Sequence, residues 1–63
     1  MTKERFQRLQ ALYGSLQGIL DEERTAYDNL PAPIRENSER GVVMCNGIEA
    51  MEGALDALSP LFD

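Results

Sequence analysis

The residues best suited to chemistry in this sequence are carboxylates at helical spacing. Glu49, Glu52 and Asp56 recur at steps of three and four, which a helix would place on one side, and Asp21, Glu22 and Glu23 lie in an earlier segment able to face them. Two facing sets of carboxylate oxygens are the donor chemistry of a hard divalent cation. The chain contains no His, no second copy of the motif and no lysine near these carboxylates to hold a phosphate. The expectation is therefore a solvated acidic surface with no metal and no cofactor. The same three side chains, Glu49, Glu52 and Asp56, define an alternative: a face that imitates nucleic-acid phosphates and blocks a DNA- or RNA-binding enzyme.

Cys45 is the lone thiol. A nucleophilic cysteine needs a base to draw off its proton, and no histidine exists here to serve, so Cys45 reads as a small, half-buried apolar residue. Tyr13 and Tyr27 fall at apolar positions of a helical repeat, where a ring packs while its hydroxyl reaches the edge. Tyr27 also precedes a proline-bearing segment, to which its hydroxyl could hydrogen-bond and so set the angle between flanking helices. Gly14 and Gly18, four apart, offer a weak small-residue groove for another helix. None of these assembles an active site, and no enzymatic activity is expected.

Six basic residues against eleven acidic ones give a net charge of -5. Lys3, Arg5 and Arg8 sit at one end, Arg35 and Arg40 flank the middle, and every charge after Arg40 is negative. Direct binding to nucleic acid or to an anionic membrane is disfavoured, because phosphate contacts need clustered cations. No apolar run approaches the roughly 20 residues of a membrane span, and the N-terminus lacks an apolar signal-like stretch. The expected compartment is the cytoplasm.

The elements that must position these residues are helices. Phe6, Leu9, Tyr13, Leu16, Leu20, Tyr27 and Leu30 step by three and four, interrupted only at Glu23, and Leu12, Ile19 and Ala26 widen that seam on one side. Met44, Ile48, Met51, Leu55, Leu58 and Phe62 repeat the pattern, flanked by Gly47, Ala54 and Leu61. Between them, Pro31 and Pro33 disfavour helical geometry in their predecessors, and Ser38 is a good N-cap. Gly41, Gly47 and Gly53 soften the second helix, each by up to about 1 kcal/mol relative to Ala. The spacing predicts one all-α domain over residues 1–63: a helix over 3–29, a connector over 30–37, a helix over 38–58 and a tail over 59–63.

The first helix is the longer, so in an antiparallel hairpin Phe6 and Leu9 overhang and need cover from Leu61 and Phe62 or from another chain. A chain of 63 residues supplies a small core that usually needs a disulfide, a metal or oligomerisation to reinforce it. One cysteine excludes an internal disulfide, so the two seams predict a homodimer pairing into a four-helix bundle.

The segments Glu22-Glu23, Tyr27-Asp28-Asn29-Leu30-Pro31 and Ser38-Glu39-Arg40-Gly41, followed by Met44 and Ile48, resemble a group of short acidic helical proteins from bacteria and their phages or plasmids. The resemblance covers the middle third to half of the chain and transfers no catalytic residue. Val42-Val43 and Cys45-Asn46-Gly47 stand where such proteins usually carry Glu and Ala, which hints that this chain buries more of that helix. The resemblance implies an accessory protein of a mobile element that binds and inhibits a host protein.

The functional expectation is a non-enzymatic protein–protein interaction module acting as a homodimer. Its association surface is expected at Phe6, Leu9, Leu12, Tyr13, Leu16, Ile19, Leu20 and Tyr27 on the first helix. The second helix and tail contribute Met44, Ile48, Met51, Leu55, Leu58, Leu61 and Phe62. A structural or chaperone-like subunit of a larger assembly is a further alternative.

Overall fold

The computed structural model of the chain describes residues 1–62, and the described residues are all-α. Helix α1 spans Lys3–Asp28, α2 Ala32–Asn37 and α3 Glu39–Leu58, followed by a 3-10 turn over Ser59–Leu61. The molecule measures 48 × 17 × 16 Å, a rod whose length is set by α1, which alone runs about 39 Å at 1.5 Å per residue.

Helix α1 starts at Thr2, whose backbone is extended and whose hydroxyl accepts the Arg5 N–H at 3.2 Å, satisfying a donor the first turn leaves unpaired. Its last turn closes through the Asn29 N–H, which donates to the Thr25 carbonyl at 3.1 Å. Pro31 then turns the chain into extended geometry and stops the helix.

Residues 30–37, expected as a connector, contain helix α2. The amide N–H groups of Ile34 and Arg35 both donate to the Pro31 carbonyl at 3.0 Å, and Pro33 occupies the first turn, where its missing N–H costs nothing. Prolines that end α1 therefore start α2. Ile34 is exposed, while Leu30 is half-buried.

Ser38 joins α2 to α3. Its backbone is extended, its amide and hydroxyl both donate to the Ile34 carbonyl, and the hydroxyl oxygen accepts the Gly41 N–H at 3.2 Å. One residue thereby closes one helix and caps the next. The two helices meet so closely there that a Cβ on Gly41 would stand 2.8 Å from the Ile34 carbonyl oxygen and would also collide with the Arg35 carbonyl. Gly41, read from sequence as a softening residue, is the position this corner requires to lack a side chain.

Helices α1 and α3 contact each other. Arg24 near the end of α1 meets Glu52 of α3, and Phe62 beyond α3 meets Phe6 and Tyr13 near the start of α1. The overhanging N-terminal part of α1 thus finds cover in the tail, from Phe62. Leu61 is exposed, and Asp63 lies outside the described residues.

Candidate functional site

The seam residues face one another as the repeat predicts, yet burial is shallow. Phe6, Leu9, Tyr13, Leu16 and Tyr27 on α1 and Met44, Ile48, Met51, Leu55 and Leu58 on α3 are half-buried, and among the described residues the one buried apolar side chain is Leu20, at 3% exposure. Leu20 therefore belongs to the contact within the chain and is not free to serve as an association surface. Glu23, which breaks the apolar repeat, is half-buried at the seam itself.

The seam divides the rod into two unlike sides. In an antiparallel helix pair, residues just after the seam on one helix meet those just after it on the other, and residues just before it meet on the opposite side. The first side carries Gln17, Asp21 and Arg24 of α1 with Glu52 and Asp56 of α3, which line a depression floored by Leu20 and Leu55. Arg24 Nη2 lies 3.3 Å from Glu52 Oε2, and Nη1 lies 3.9 Å from Asp21 Oδ1.

The Arg24 guanidinium thus lies between Asp21 of α1 and Glu52 of α3, the place a cation bridging the two carboxylate sets would need. Of the run 21–23, Asp21 lines the depression together with the α3 acids Glu52 and Asp56. Glu22 instead lies on the outer flank of α1, with Thr25, Ala26 and Asn29. Among the described residues, no group of three or more His, Cys, Asp or Glu is placed to hold a metal ion.

Cys45 sits half-buried on the acidic side, its thiol donating to Glu49 Oε1 at 3.7 Å. Desolvation, followed by the charges of Glu49 and Glu52, raises its pKa above the ordinary thiol value. That is the reverse of what a nucleophile needs, since the thiolate is the reactive form. Among the described residues, Tyr27 reaches the connector through its ring and not through a hydroxyl bond: the Arg35 guanidinium lies 5.9 Å from the ring centroid, tying α2 back to α1 by a cation–π contact.

The second side presents apolar and small residues. Leu12 is 65% and Ile19 53% exposed on α1, and Val43 is 62% exposed on α3, in helical line with Gly47, Ala50 and Ala54. Valines that the sequence suggested would be buried are in fact open: Val42 is exposed as well. Among the described residues, nothing lies within 4 Å of a would-be Cβ on Gly14 or Gly18, so no described helix packs against them there. The unequal sides were encoded in the flanking positions. Gln10, Gln17 and Arg24 follow the first seam, whereas Leu12, Ile19 and Ala26 precede it.

No protein-family model matches the chain, and neither a curated protein nor a solved structure matches it. Among the described residues, no helix is long and apolar enough to cross a membrane.

Proposed function

We propose that this chain is a non-enzymatic protein–protein interaction module: a two-helix hairpin that pairs with a second copy into a four-helix bundle and engages another protein through its remaining surface. The observation that carries the reading is the contrast, among the described residues, between a single buried apolar side chain, Leu20, and the open Leu12, Ile19, Val42 and Val43. Each large aliphatic side chain removed from water contributes about 1.5–3 kcal/mol, so covering these four is a substantial driving force. A small domain with so thin a core has most to gain from it.

The partner belongs to the host of a phage or mobile element, in keeping with the signature around Tyr27-Asp28-Asn29-Leu30-Pro31 and Ser38-Glu39-Arg40-Gly41. Arg24 partly neutralises the acidic side, which weakens the case for phosphate mimicry. Sedimentation equilibrium at micromolar concentration tests self-association. A dimer is expected, and a stable, well-folded monomer would overturn the reading. Capture from a bacterial host lysate, followed by stoichiometry of the isolated complex, tests whether one dimer binds each partner.

A further inference from the structure

Resting on the homodimer reading, we infer that the second copy docks along one stripe of α1, antiparallel to its own counterpart, with a two-fold axis passing beside Ser15. The stripe runs Arg8, Leu12, Ser15, Ile19, Glu22, each three or four residues from the last, so a straight helix holds all five on one side. Every one of them is exposed, and all lie away from the flank where Arg24 meets Glu52.

The stripe is complementary to itself when reversed. An isologous two-fold contact requires that if residue i touches residue j of the partner, then j touches i. Reversing α1 about Ser15 sets Arg8 against Glu22 of the second copy and brings Leu12 within one residue, about 1.5 Å along the axis, of Ile19, twice each, with the small Ser15 at the closest approach of the two helices. Arg8 and Glu22 have no ion partner among the described residues, so both charges are available for this pairing.

Charge also selects this side over its opposite. The other side carries Asp21, Glu49, Glu52 and Asp56 against the single Arg24, and two copies apposed there would set like charges against each other. On the proposed stripe each cation finds an anion. Ser15 lies near the middle of α1, so the two long helices overlap along their full length.

Charge reversal tests the register. Arg8→Glu and Glu22→Arg are each expected to weaken dimerisation roughly 10-fold, since two exposed ion pairs become two repulsions. The double variant should return to within about 3-fold of wild type, because the pair is restored in mirror image. Leu12→Asp should weaken dimerisation by on the order of 100-fold while circular dichroism retains the helical signal. A wild-type monomer at tens of micromolar would defeat the homodimer reading along with this one. A wild-type dimer that ignores both single reversals, or whose double variant stays as weak as the singles, would leave the homodimer standing and overturn this interface. In a Cys45→Ala background, Ser15→Cys should form an interchain disulfide with oxidised glutathione, and a dimer that resists that cross-link counts equally against the axis.

Discussion

The ring of Phe62 packs 4.8 Å, centroid to centroid, from the ring of Tyr13, tilted at 45°. The same ring lies 5.3 Å from Phe6, so one side chain beyond the end of α3 spans two turns of α1. Such tilted aromatic pairs contribute about 0.5–1.5 kcal/mol beyond their area. The turn over Ser59–Leu61 delivers it there, because the Phe62 N–H donates back to the Ser59 carbonyl at 2.9 Å and fixes the direction of the tail.

Phe62→Ala is therefore expected to lower stability by about 2 kcal/mol, less than a fully buried phenylalanine because the site is half open. Leu61→Ala, at an exposed neighbour, should cost far less. Urea unfolding followed by circular dichroism decides between them. Equal losses at the two positions would mean that the ring contacts contribute little.

Glycine-to-alanine changes in α3 are expected to differ in sign. Gly53 has open space around a would-be Cβ, so Gly53→Ala should stabilise the helix by about 0.5–1 kcal/mol. Gly41→Ala forces the new methyl against the carbonyls of Ile34 and Arg35 and should destabilise despite the better helix propensity. Thermal melts of both variants check the contrast, and a stabilised Gly41→Ala protein would mean that α2 moves away freely.

Ser38→Ala removes the acceptor for the Gly41 N–H and the bond from the hydroxyl to the Ile34 carbonyl together. A loss of about 1–2 kcal/mol is expected, with Ser38→Asp recovering part of it because a carboxylate still caps the helix. The measurement is again chemical unfolding. Recovery by Asp equal to wild type would assign no value to the bond toward Ile34.

The pKa of Cys45, raised by desolvation and then by Glu49 and Glu52, means that the folded chain holds the thiol proton more firmly than the unfolded chain does. The sign follows directly: the stabilising contribution of the neutral thiol is present at neutral pH and is lost as pH climbs through the raised value. The rate of alkylation by iodoacetamide should rise with a midpoint above the ordinary thiol value, and Glu49→Gln should bring that midpoint down. A midpoint at or below the ordinary value would contradict the arrangement at Cys45.

Much of this molecule was legible in its sequence because helical periodicity is local. The seam residues from Phe6 to Tyr27 and from Met44 to Leu58 could be read from spacing alone, as could the cap at Ser38, since each depends on neighbours within a turn or two. The connector was misread because prolines carry opposite meanings at the end of one helix and in the first turn of the next. Only the next residues' hydrogen bonds to Pro31 distinguish these roles.

The sequence by itself determined the all-α class, the two seams and the thinness of the core, because those follow from residue spacing and from how little apolar surface so short a chain can cover. Only the tertiary structure decided which flank of each seam faces which. The Arg24–Glu52 contact sets one side of the rod as acidic and leaves Leu12 and Ile19 on the other. It also decided that Gly41 is indispensable and that Phe62, not Leu61, covers the start of α1. Those are relations between residues distant in sequence or on separate elements, and they depend on how two cylinders are rotated against each other, which spacing along either helix does not record.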